Sequence, residues 1–137
     1  MPMSYLLSED WEAFCAERER EPTALFIMKP VASSCGRGIK ICGEKTKVNK
    51  KEGILASKYI HNPHLINGLK YDLRVYVLVT SFNPLKVYIY NDGLVRFATQ
   101  KYTNNPEHLM NKFIHLTNFS INKRATNFVK NTDKVQA

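Results

Sequence analysis

Apolar and polar positions alternate most regularly between Leu73 and Thr80. Leu73, Val75, Val77 and Val79 fall on one face; Arg74, Tyr76, Leu78 and Thr80 fall on the other, with Asp72 on the face of Arg74. A period of two is the period of a β-strand. Ser81-Phe82-Asn83-Pro84 then reads as a turn, Lys86 to Tyr90 as a second strand, and Asn91-Asp92-Gly93 as a tight hairpin turn. Leu94 to Thr99 pairs back. The pattern predicts an antiparallel meander of three strands, Asp72–Thr80, Lys86–Tyr90 and Leu94–Thr99.

Upstream the period changes. Trp11, Phe14 and Cys15 lie at helical spacing against a charged back of Glu12, Arg18 and Glu19. Ser8 supplies a hydroxyl N-cap, Glu9 and Asp10 complement the helix dipole, and Pro22 ends the helix. Ala24 to Met28 and Ile39 to Cys42 read as strands joined by a loop of small residues. Residues 43–53 read as a polar, lysine-rich loop, and Ile54 to Ile60 as a strand closed by Asn62-Pro63. A short helical turn is expected after Asn104-Asn105-Pro106, and the end from Ala125 to Ala137 is expected to fray.

Composition sharpens this picture. The chain has 137 residues, 44% apolar and 23% charged, as expected for one soluble globular domain. Its net charge of +8 favours an acidic partner. Three cysteines, with no C-x-x-C pair, argue against a disulfide framework or a zinc site and for a reducing, cytoplasmic setting. No apolar run could span a membrane, and Met1-Pro2-Met3-Ser4 lacks the features of a signal peptide. A nucleic-acid role would want aromatics interleaved with cations on one sheet face. Tyr88 and Tyr90 hint at this, but sheet packing explains them more simply.

The candidate chemistry begins at residues 29–39, Lys-Pro-Val-Ala-Ser-Ser-Cys-Gly-Arg-Gly-Ile. Small residues leave backbone amides open to an anion, and Lys29 adds a point charge. Gly36-Arg37-Gly38 lacks the third glycine of a dinucleotide fingerprint, and the Gly38–Gly43 pair is followed by Glu44 rather than the Walker lysine. From these residues alone a flexible surface loop and a phosphate cradle are both admissible. Lys70, Arg74 and Arg96 lie on or beside the predicted sheet. If they converge with Lys29, an anion would offset their mutual repulsion.

Five strings carry a resemblance. They are the 29–39 segment, Ser57-Lys58-Tyr59-Ile60, Lys70-Tyr71-Asp72-Leu73-Arg74-Val75-Tyr76-Val77, Asp92-Gly93-Leu94-Val95-Arg96-Phe97-Ala98-Thr99, and His115-Leu116-Thr117-Asn118-Phe119-Ser120-Ile121-Asn122-Lys123. In this order and spacing the chain resembles the tubulin tyrosine ligase-like family, and its glycine loop looks most like that of the polyglutamylase members. The resemblance implies a partial ATP-grasp fold of the α+β class, with antiparallel sheets and flanking helices. Residues 1–56 would form a loop-bearing ATP lobe, 57–123 a second lobe, and 124–137 a frayed tail.

It also implies roles. Lys29 would contact ATP phosphates and Cys35-Gly36 would close over them. Ser57, Lys58, Tyr59 and Ile60 would line the adenine slot as a hinge. Lys70, Tyr71 and Asp72 would bind nucleotide, Asp72 at the ribose, and Thr117-Asn118 would close the site. Arg74 would stabilise phosphate charge and Arg96 would hold the incoming amino acid. The implied activity is ATP-dependent ligation of free glutamate to glutamate side chains in the acidic tails of tubulin, on the microtubule cytoskeleton and in cilia or basal bodies. The family holds Mg²⁺ through a Glu-x-Asn strand that this chain lacks, so no metal ligand is assigned here and the ligands are expected downstream. The chain therefore reads as part of a ligase and is expected to be inactive alone. The alternative is a non-catalytic remnant that binds nucleotide or microtubules.

Overall fold

The computed structural model describes residues 2–130, which form two antiparallel sheets and three short helices. The first sheet has the order β1 (Ser4–Leu6), β4 (Ile54–Lys58), β2 (Phe26–Pro30), β3 (Lys40–Cys42). Helix α1 (Trp11–Arg20) lies against it and contributes Phe14 to a core of Tyr5, Leu7, Phe26, Met28, Cys42 and Ala56. Phe14 meets Phe26 edge-on at 5.2 Å between ring centres, a favoured aromatic geometry.

The N-terminus of α1 differs from expectation. Asp10, not Ser8, occupies the cap position, and its carboxylate accepts the Leu6 N–H at 2.7 Å. The acid thus ties the incoming strand to the helix instead of capping the first turn. Arg18 also departs from the solvent-facing back assigned to it. Its guanidinium donates to the carbonyls of Gly43, Glu44 and Thr46 at 3.0–3.1 Å and pins the start of the lysine-rich loop.

The second sheet has the order β5 (Leu65–Ile66), β6 (Leu69–Phe82), β7 (Leu85–Lys101). The predicted three-strand meander is a single long hairpin. Its reversal lies at Asn83-Pro84, where Phe82 pairs with Leu85. Asn91-Asp92-Gly93 is not a turn. Val75 pairs with Gly93 and Val77 with Ile89, so residues 90–92 bulge out of a continuous strand. The bulge is satisfied locally, since the Asp92 carboxylate accepts the Gly93 N–H at 2.7 Å. Glycine is required there for a second reason: a Cβ would lie 2.6 Å from the Arg74 carbonyl oxygen.

The alternation from Leu73 to Thr80 is that of a strand, yet neither face is covered. Leu73 and Leu78, on opposite faces, are 61% and 62% exposed. The covered end of the hairpin is its base, where α2 (Lys112–His115) and α3 (Phe119–Asn122) pack on β7. Asn127 donates to the Thr99 carbonyl, and Phe128 stacks on Phe119 at 5.7 Å. Of the expected tail, residues 131–137 lie outside the described residues. The first sheet continues through Lys58, so it includes Ser57 and Lys58, expected in the second lobe.

Candidate functional site

Lys29 is the next-to-last residue of β2 in the first sheet and Lys70 the second residue of β6 in the second, and the Lys29 charge is felt at Lys70. Lys70 is largely buried, and its pKa is drawn down from 10.5 to about 8, first by burial and then by the Lys29 charge, with Asp72 opposing. Its ammonium donates to the Tyr59 hydroxyl at 3.0 Å and sits 4.6 Å from the centre of the Tyr59 ring. Among the described residues neither lysine has a carboxylate within ion-pair distance. Two neighbouring cations without an acid partner are a site for an anion.

Asp72, one residue beyond Tyr71, is held by a different partner. Asp72 and Arg96 face each other across the β6–β7 ladder. The Arg96 Nε donates to Asp72 Oδ1 at 2.9 Å, and Nη2 donates to Oδ2 in a two-pronged pair. Arg96 lowers the Asp72 pKa, burial opposes this, and the Thr117 hydroxyl and the Arg74 charge add to it. Arg74 is exposed on the same strand face as Asp72. Asp72 and Arg96 are thus joined by hydrogen bonds, with Thr117 and Arg74 adding to the hold on the Asp72 carboxylate.

The small-residue loop packs against the start of α3. Cys35, Gly36 and Gly38 all have left-handed backbone, with φ of 59°, 74° and 73°. At Gly36 a Cβ would come within 2.5 Å of Ile121 Cδ1 and 3.0 Å of Asn118 Oδ1, and at Gly38 within 2.7 Å of Pro30 Cγ. Ser120 Oγ donates to the Cys35 carbonyl at 3.0 Å. Asn118, from the last of the five strings, thus abuts the loop. A cleft of about 450 Å³ opens between the loop and α2–α3, walled by Cys35, Arg37, Lys112, Ser120 and Arg124 but not by Lys29 or Lys70.

The expected hinge residues divide. The Tyr59 side chain belongs to the site, but the other hinge side chains do not join it. Ser57 is buried toward β1, where its hydroxyl accepts from Ser4 at 2.9 Å. Lys58 forms an ion pair with Glu21 and lies 3.7 Å from Glu17. Ile60 is 60% exposed. The backbone N–H of Lys58 donates to Met3 and that of Tyr59 to Leu25, at 2.8 and 2.7 Å, so neither is free for a ligand. Tyr71 points away from Lys70, packing on Phe97 and bonding His64 Nδ1 at 3.1 Å.

Three side chains of the site carried no role in the sequence reading. His115 is buried, with Nε2 3.1 Å from the His108 carbonyl and Nδ1 3.1 Å from the Tyr59 hydroxyl. A carbonyl only accepts, so Nε2 carries the proton and Nδ1 accepts from Tyr59. Burial lowers the His115 pKa and raises that of Tyr59, so both stay neutral. Tyr102 stacks edge-on to His115 and donates to the His61 carbonyl at 2.9 Å. Asn122 fixes the whole segment, as its amide bonds Leu116, Asn118 and Thr99. His115 and Asn122 sit inside a quoted string, but nothing in their spacing shows what they touch.

Comparison with known proteins gives this geometry a lineage. The profile of the tubulin-tyrosine ligase family matches residues 1–137. The chain belongs to the tubulin-tyrosine ligase family. It is 43% identical over 135 residues to human tubulin polyglutamylase TTLL5, covering 97% of this chain and 10% of that protein. It is 42% identical over 133 residues to mouse tubulin monoglutamylase TTLL4, covering 97% and 11%. A probable beta-tubulin polyglutamylase of Tetrahymena thermophila is 40% identical over 136 residues, covering 97% and 11%. The chain thus spans about a tenth of the length of these relatives. Its antiparallel sheets and few helices are those of a partial domain of this family.

The residues present fit a triphosphate better than they fit a metal. Lys29 and Lys70 offer positive charge with no carboxylate within ion-pair distance among the described residues. Among the described residues no three His, Cys, Asp or Glu side chains gather as ligands would. Asp72, the acid nearest the lysines, is engaged by Arg96.

Proposed function

We propose that this chain is the nucleotide-holding segment of an ATP-dependent ligase that adds free glutamate to glutamate side chains of acidic protein tails, with tubulin as acceptor. The observation that supports the reading is that the Lys29 charge acts on Lys70, from a different sheet, with no carboxylate within ion-pair distance of either among the described residues. Bound ATP supplies a phosphoryl group to an acceptor carboxylate. That gives ADP and an acyl phosphate, whose carbonyl carbon the glutamate amine attacks with release of phosphate.

The residues divide this work by charge and shape. Lys29 and Lys70 hold the phosphates, and Cys35-Gly36 excludes water above them. Asp72 meets the ribose while Arg96 fixes its orientation. Two of Arg96's donors are used on Asp72, which leaves its Nη1 edge for the glutamate carboxylate. Arg74, exposed beside Asp72, offsets charge that develops on the transferring phosphoryl group. Thr117 and Asn118 hold the loop side of the site, and backbone at Ile60 faces the adenine. The place of action is the microtubule, including those of cilia and basal bodies. Magnesium would be held by residues other than those described, and no step is assigned to it.

The test is incorporation of labelled glutamate into microtubules by a protein that carries this segment within a complete family domain. Arg74→Ala and Arg96→Ala should each abolish incorporation, with nucleotide still bound. Normal incorporation by the Arg96→Ala protein would overturn its assignment.

A further inference from the structure

Lys70 is held by a chain of contacts that reaches into the His-Leu-Thr-Asn segment. The Tyr59 hydroxyl has one proton and two lone pairs. His115 Nδ1 stands 3.1 Å away on one side and the Lys70 ammonium 3.0 Å away on the other. His115 can accept only while its Nε2 proton is committed to the His108 carbonyl at 3.1 Å. With the hydroxyl proton on His115, only lone pairs face Lys70. These suit an ammonium better than a neutral amine, whose N–H groups donate more weakly.

We infer that His115 is a positioning residue. Through the Tyr59 hydroxyl it keeps the Lys70 ammonium charged and aimed at the space beside Lys29. The role assigned to Lys70 rests on the nucleotide reading above, but the His115–Tyr59–Lys70 chain does not. The groups facing Lys70 are Lys29 from β2, Tyr59 after β4, Asp72 on its own strand, Tyr102 after β7 and His115 from α2, with His108 behind it. Burial and Lys29 disfavour its charge; Asp72 favours it but is bound to Arg96. Tyr102 has its own acceptor in the His61 carbonyl. The Tyr59 oxygen is therefore the direct acceptor for the ammonium, and His115 decides which way that hydroxyl turns.

Shape can be separated from proton placement. His115→Phe keeps a ring against Tyr59 and Tyr102 but removes both nitrogens. His115→Gln restores an N–H for His108 and an acceptor for Tyr59. The titration of Lys70 is followed by NMR of ¹³C-labelled lysine in the free chain, and ATP affinity is measured at pH 6.5 and 8.5. His115→Phe should lower the Lys70 midpoint by about one pH unit, with His115→Gln close to wild type. ATP affinity of His115→Phe should fall by about tenfold at pH 8.5 and much less at pH 6.5, where Lys70 is charged in every variant. An unchanged midpoint, or equal loss at both pH values, overturns the inference. Should His115→Phe not fold, Tyr59→Phe breaks the same chain at its middle link, and an unchanged midpoint there is equally decisive. Wild-type protein that binds no ATP would remove the nucleotide reading, while the Lys70 midpoint still decides the role of His115.

Discussion

Asn122 uses both amide protons and both acceptor positions of its side chain. It donates to the Leu116 and Asn118 carbonyls at 2.8 and 3.1 Å and accepts from Thr99 N and Oγ1, each at 2.9 Å. It is 1% exposed, so water cannot replace these bonds. Asn122→Ala should therefore destabilise the chain by about 2–3 kcal/mol, because buried partners are left unpaired. Urea denaturation should show a lower midpoint at unchanged slope; a midpoint equal to wild type would contradict the assignment. The same residue-level reasoning separates the two site arginines. Arg96 is oriented by Asp72, whereas Arg74 is exposed.

The elements show what was legible in the sequence. Period-two alternation identified β6, and apolar runs identified β2, β3 and β4, since those signals are local. The Asn91-Asp92-Gly93 string misled because turn chemistry is local while register is not. A glycine beside a self-bonding aspartate suits a bulge as well as a turn, and pairing of Val77 with Ile89 decided for the bulge. Strand β1 is three residues long, too short for any period to register. Asp72 and Arg96 were legible as members of one small sheet, where they pair. The contact of Lys70 with Tyr59 joins separate elements, which spacing cannot show. The Tyr59–His115–Tyr102 cluster was illegible for the same reason, because its members come from three separate elements.

At the scale of the whole molecule, the base of the long hairpin draws Lys70 largely out of water, and this has a cost that pH reveals. Below about pH 8 Lys70 is charged both folded and unfolded, and burial makes that charge unfavourable in the fold. Between about 8 and its ordinary 10.5 the folded chain has lost a proton that the unfolded chain keeps. Stability from this group therefore rises with pH across that window, by about 2 kcal/mol from pH 7 to 9.5. Tyr59 and Tyr102 limit the gain above about pH 10, since their raised pKa values favour the unfolded, ionised phenols there. Denaturation of a Lys70→Met variant should lose the rise; a rise that persists would assign it elsewhere. The central claim is that Lys29 and Lys70 together hold a polyphosphate, and calorimetry of ATP binding to the chain tests it most directly. Lys29→Ala and Lys70→Ala should each weaken binding at pH 7 by about tenfold or more, as loss of a charge-assisted contact requires. ATP bound equally well by wild type and both variants would contradict the account.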